Sequence, residues 1–149
     1  MKKVAVGLMV CFYVMTGICS AQVTRNVPSA VLTAFNTKYP GKTHVTWAKD
    51  GVGYAARFYD VQVPCTVRFN NNGEWLDETR KLSFGDLRSN VKNAFSQSKF
   101  ASWHAYEVNE IQEKNKEKQY RILIRDSGAK GKYIYYDTKG QLTKEALTI

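Results

Sequence analysis

Cysteine and histidine are both scarce in this chain, at 3 and 2 of 149 residues. Cys11 and Cys19 fall within the first 21 positions, so Cys65 stands alone in the remainder and no internal disulfide can form. His44 and His104 have no cysteine or second histidine near either of them, and a metal site normally needs three or four ligands. They lie beside Trp47 and Trp103 and read as equivalent positions of an internal duplication. A Gly-rich phosphate loop, a nucleophile elbow and an HExxH pattern are all missing. The one adjacent acidic pair in mid-chain, Asp77-Glu78, would point to opposite faces of a strand, so it reads as a solvated edge and not as a catalytic dyad. These absences predict no catalytic residue, no metal and no cofactor. An enzyme hidden from this reading would have to show a deep polar pocket of converging titratable groups.

Long apolar runs are also lacking after residue 21, so no transmembrane helix is expected. The one short run, Val4 to Ile18, follows Lys2-Lys3 and precedes the small residues Cys19-Ser20-Ala21. That is the build of a secretory signal peptide cleaved after Ala21, and it predicts a periplasmic or secreted protein. Lipid attachment at Cys19 is the rival reading, against which stands the bulky Ile18 before it. Removing 21 of 149 residues leaves 128, and formal charge falls from +9 to +7 as two lysines leave. The surplus suits an anionic partner or surface, or simply a basic solvated face; nucleic acid is disfavoured for an exported chain.

What the chain does have is internal similarity. Val27, Val31, Ala34, Phe35 and Tyr39 recur at helical spacing, with Pro28 in the first turn, and Leu87, Val91, Ala94 and Phe95 repeat the stripe sixty positions later. Such stripes are core, so Phe35 and Phe95 are assigned no function. Extended segments follow at Thr43 to Asp50 and Ser102 to Gln112. Alternating strands come next, Tyr54, Ala56 and Phe58 in one and Tyr120, Ile122 and Ile124 in the other. Thr66 to Trp75 and Tyr133 to Leu142 then read alike as hairpins, with three-residue loops ending in Gly73 and Gly140 that pair Phe69 with Trp75 and Tyr136 with Leu142.

The pattern predicts an α+β fold, a tandem repeat of one helix plus a four-stranded antiparallel sheet. The two units would join into one larger sheet with helices on one face. Unit boundaries fall at 22–82 and 83–149, with Thr79 to Asp86 as a short, stiff linker. The second unit's first hairpin is longer, and its polar tip, Gln112 to Lys118, reads as a solvated ribbon end, with a partner contact as the alternative. Cys65 should share the buried face of Val67 and Phe69 as an inert thiol, a reactive or intermolecular thiol being the alternative.

With these residues in order, the chain resembles the PepSY-like, beta-lactamase-inhibitor-protein-like secreted proteins of bacteria. The resemblance rests on Val27-Pro28, Val31, Ala34-Phe35, Tyr39-Pro40, Val45-Thr46-Trp47 and Tyr54-Ala55-Ala56-Arg57-Phe58. Val67-Arg68-Phe69, Gly73-Glu74-Trp75 and their second-half counterparts complete it. It implies the tandem fold, an exported address and a role in binding instead of catalysis; inhibition of a beta-lactamase would be analogy from fold.

One helix per unit leaves the other sheet face uncovered. By alternation that face carries Arg57, Tyr59, Arg68, Arg121, Leu123, Arg125, Tyr133 and Tyr135, rich in the two side chains most used as binding anchors. Solvent-facing strands favour the same residues by propensity. The leading expectation is an exported non-catalytic module, a monomer, that engages a protein or peptide through this face, with inhibition of an exported hydrolase as its sharpest form. The alternative is an envelope structural protein held to anionic glycan or lipid by its basic surface.

Overall fold

The helix that follows Pro28, α1 (Ser29–Lys38), buries Val31 and Phe35 against the strands that come after it, and Val27, just before the helix, joins them in the core. A computed structural model describes residues 26–127 and 131–148; the segment read as a signal peptide, the cleavage expected after Ala21, Cys11 and Cys19 lie outside the described residues. The strands after α1 are β1 (Thr46–Asp50), β2 (Gly53–Asp60), β3 (Val63–Asn70) and β4 (Trp75–Leu82). A short 3-10 turn (Phe84–Asp86) leads to α2 (Ser89–Ser96), then β5 (His104–Glu113), β6 (Gln119–Arg125), β7 (Gly131–Asp137) and β8 (Leu142–Leu147). These eight strands form one antiparallel sheet in chain order, so the described residues make an α+β fold with two helices.

Pro28 stands one place before α1 and not inside it. Its carbonyl accepts from the N–H groups of Val31 and Leu32 at 3.0 and 3.1 Å, and Arg88 does the same before α2 for Val91 and Lys92, both at 3.0 Å. Neither residue donates to the helix, so a proline serves as well as an arginine there.

Each helix has its own core. Under α1, Phe35 meets the rings of Trp47, Phe58 and Phe69 edge-on at 5.2, 5.5 and 6.4 Å. Under α2, Phe95 meets the Phe84 ring edge-on at 5.2 Å, and the core adds the aliphatic residues Val108, Ile122, Ile124 and Ile134 to the buried rings of Phe100, Tyr120 and Tyr136. Cys65 belongs to the first core, where burial pushes its thiol pKa up and keeps it protonated. The two cores lie on the same side of the sheet. Cys65 pairs with Arg80 and Leu82 with Val108, and Arg80 and Leu82 are two apart on β4, hence on one face.

The hairpins pair Phe69 with Trp75 and Tyr136 with Leu142, with a bulge beside each. Gly73 and Gly140 sit at φ 83° and 86°, and a methyl on either would lie 2.5 Å from the carbonyl oxygen of Ala30 or 2.7 Å from that of Asn90. Each loop therefore supports the first turn of a helix. Asn90 adds a bond from Nδ2 to the Thr138 carbonyl at 2.7 Å.

Two expectations are overturned by one cause, the pairing of β4 with β5 from Asp77–Glu113 to Leu82–Val108. Thr79 to Leu82 are not linker but the end of β4, because β5 satisfies their backbone groups; only the 3-10 turn, capped by Ser83 and Asp86, connects the halves. Asp77-Glu78 is not a solvated edge but part of a central strand, with Asp77 only 7% exposed. The polar tip is a solvated ribbon end, with Lys114 to Glu117 exposed, and it is anchored at its base. Glu113 is in the ladder, the Lys114 N–H donates to the Leu76 carbonyl at 2.8 Å, and the Lys114 ammonium pairs with Glu74.

Over this junction no helix lies, and the helix-bearing side opens into a polar groove of about 560 Å³ lined by Glu78, Arg80, Glu110 and Gln112. Its acids are partnered. Trp75 Nε1 donates to the Tyr39 hydroxyl at 3.0 Å, which donates to Glu78 at 2.9 Å; burial and then the Glu78 charge hold that hydroxyl protonated far above its ordinary range. Asp60 accepts from Lys42 at 2.6 Å and Arg80 at 2.8 Å, and these bonds, Lys42 first, hold its pKa below the ordinary value.

Gly73→Ala and Gly140→Ala should each destabilise the fold by at least the ~1–2 kcal/mol of a left-handed residue, plus the helix clash, read as a lowered urea midpoint. Asp60 contributes stability that is present above the unfolded carboxyl pKa and lost as pH falls through its depressed folded value. The fall in urea midpoint on acidification below about pH 4 should thus be shallower in Asp60→Asn than in the parent chain.

Candidate functional site: the open face of the sheet

On every strand the residues that alternate with the buried ones point away from both helices. Arg57 pairs with Thr66, Tyr59 with Pro64 and Arg68 with Asp77, while Arg121, Leu123 and Arg125 pair with Tyr135, Tyr133 and Gly131. All eight residues named from alternation lie on this one face. They do not form one cluster. Arg68, Arg121 and Tyr135 line a concave hollow of about 810 Å³ over the middle of the sheet. Arg57 and Tyr59 line a separate recess of about 210 Å³ at the β1–β3 corner, beside His44. Arg125, Leu123 and Tyr133 lie outside both hollows.

The arginines differ in what they can offer a ligand. Arg68 is committed: Nε donates to Asp77 at 2.9 Å, a second nitrogen pairs with the same carboxylate, and Asp50 lies at 3.4 Å. Those bonds, Asp77 first, raise its pKa still further. Arg57 is exposed and has no ion pair among the described residues. Arg121 stacks on Tyr133 at 5.1 Å and reaches Glu107 only at 3.6 Å, while its Nε is buried without a hydrogen-bond partner. Arg125 stacks on Tyr106 at 4.9 Å and Lys144 on Tyr135 at 5.3 Å. Each such stack is worth about 0.5–1 kcal/mol at an exposed site, enough to hold a long side chain in place and lower the entropy lost on docking.

Tyr106, 59% exposed, belongs to this surface and escapes sequence reading. Counting back from buried Val108 would send it under α2, but β5 shifts register between Ala105 and Glu107, and the ring instead meets Arg125 and His104. Asn109 is the other omission: 5% exposed and donating to Glu107 at 2.6 Å, it is a polar residue held among central strands. No periodicity marks either.

The histidines are not equivalent. His44 precedes β1 at φ 55°, bonded to the Thr43 hydroxyl at 3.2 Å, whereas His104 is the first residue of β5 and packs against Tyr106. Among the described residues no three His, Cys, Asp or Glu side chains gather as a metal site, and no helix is long and apolar enough to cross a membrane.

Residues 52–144 match the family model described as "Putative beta-lactamase-inhibitor-like, PepSY-like". Solved structures agree in fold. A DUF2874 family protein from Bacteroides ovatus superposes with a TM-score of 0.78 at 25% identity, over 80% of this chain and 86% of that one. A BLIP-like protein from Bacteroides fragilis gives 0.77 at 24%, over 81% and 86%. A protein from Bacteroides eggerthii titled "putative periplasmic" gives 0.75 at 21%, over 81% and 88%. No curated protein matches significantly. With its eight-stranded sheet, its pair of helices on one side and a family match across most of β2 to β8, the chain belongs to the PepSY-like, beta-lactamase-inhibitor-like family.

Proposed function

We propose that this chain is an exported, non-catalytic binding module that engages a protein or peptide through the open face of its sheet. The observation that carries the reading is a broad concave face left without a helix, furnished with aromatic rings and cations already stacked on one another. A surface of this kind has the area and rigid anchors of a protein interface, and its shallow hollows lack the enclosure of a small-molecule pocket. Inhibition of an exported hydrolase is the sharpest form of the proposal, supported by family and fold alone. The periplasmic or secreted address is supported by the leader-like sequence and by the similarity to the Bacteroides eggerthii protein described above. We further read residues 22–82 and 83–149 as two copies of one helix-plus-four-strand unit. Supporting this are the matching order of elements and the matching contact of Gly73 and Gly140 with the first turn of a helix.

The alternative, a structural protein held to anionic envelope by charge, draws on the net charge of +9. Salt separates the two, since surface attraction is screened at high ionic strength while a desolvated interface resists it. Purified protein should therefore remain bound to its partner at high salt, and sedimentation with envelope that vanishes with salt would favour the alternative. The variant Arg57→Glu/Arg125→Glu should lose capture of the partner from envelope extract while its circular dichroism and urea midpoint stay near those of the parent. Undiminished capture by that variant would remove the proposal.

A further inference from the structure

One ladder row of the open face crosses five neighbouring strands. Lys81 on β4 pairs with Asn109 on β5, Asn109 with Arg121 on β6, Arg121 with Tyr135 on β7, and Tyr135 with Lys144 on β8. Directly paired residues share a face, so the row carries a cation on every second strand. Strands lie about 4.8 Å apart, which spaces the backbone positions of neighbouring cations in the row by about 10 Å.

These cations are under-neutralised, unlike those on the helix-bearing side. There Asp60, Glu78, Glu110 and Glu145 each lie within ion-pair distance of Lys or Arg. In the row, Lys81 and Lys144 have no ion pair among the described residues, and Lys144 rests only on the Tyr135 ring. Arg121 has Glu107 at 3.6 Å, and Glu107 is already bonded by Asn109; the buried Arg121 Nε has no acceptor. Arg121, Tyr135 and Lys144 all line the 810 Å³ hollow, so a ligand lying along the row is partly enclosed.

Resting on the open-face reading, we propose that the row binds an acidic segment in polyproline II conformation, with a carboxylate at every third residue. That helix has three residues per turn and rises about 3.1 Å per residue, so its same-face side chains recur at about 9.3 Å and match the cations. A β-strand repeats each face at about 6.7 Å and falls out of step. An α-helix returns to the same face after two turns, but it seeks an apolar groove, and between the cations the row presents only Asn109 and Tyr135. Aromatic rings between polar groups are what polyproline II ligands use.

The test uses two fluorescent peptides of the same composition, one repeating Glu-Pro-Pro and one with its glutamates in a single block, with heparin as a third probe. Binding is followed by anisotropy at low and moderate salt. The repeating peptide should bind about tenfold more tightly than the block peptide, and Lys81→Gln/Lys144→Gln, both at exposed side chains, should remove that preference. Equal affinity for the two peptides, a preference unchanged in the variant, or row-dependent binding of heparin but not of peptide would overturn the proposal. If peptide binding fails while Arg57→Glu/Arg125→Glu still abolishes capture of the partner, the acidic segment is wrong and the open-face reading stands. If the spaced peptide binds through the row while that variant captures as before, the converse holds.

Discussion

Six residue pairs between β4 and β5 hold this architecture together. Without them each half would be a helix on four strands, about sixty residues, with two open edges and a core near the lower limit of what folds alone. With them the edges at the join disappear and the two open faces become one. The ladder also explains why β5 runs ten residues against five for β1: β1 is an outer strand with one partner, and β5 must pair on both sides along its length. The extra polar residues after Glu110 serve the join, and the loop beyond them is clamped to the β3–β4 hairpin through Lys114.

That join sets where charge can reside. Helices cover only the outer parts of their side, so β4 and β5 carry Glu78, Arg80, Glu110 and Gln112 there, facing a polar groove and paired among themselves. The bare side behaves differently. Its central acid, Asp77, is neutralised by Arg68, whereas toward β8 the cations find aromatic rings in place of carboxylates. Cations held on rings are positioned but not neutralised, which leaves positive potential for a partner to answer.

Local periodicity carried a good deal of this. Val31 with Phe35 and Val91 with Phe95 are helix faces because a 3.6-residue period aligns them, while Val27 and Leu87 pack from just before each helix, and Gly73 and Gly140 mark turns that need a positive φ. Strand alternation separated Arg57 from Phe58 and Arg121 from Ile122, so the contents of the open face were legible. Alternation fails where the ladder slips: Tyr106 changes side at a bulge, and nothing in its neighbours announces it. It is equally blind to the partners of a strand, so Asp77 and the tail of β4 looked like edge and linker until β5 lay beside them.

The amino-acid sequence by itself determined the elements, their order and the side of the sheet on which most residues fall, because these depend on the period of apolar residues and on turn chemistry within a few positions. Only the tertiary structure decided which strand closes the join, which arginines are consumed by a carboxylate and which stand on a ring, and that Lys81, Arg121 and Lys144 align in one row. Those outcomes depend on register between segments as much as sixty residues apart, and register is set by the packing of the whole sheet and not by any window of the chain.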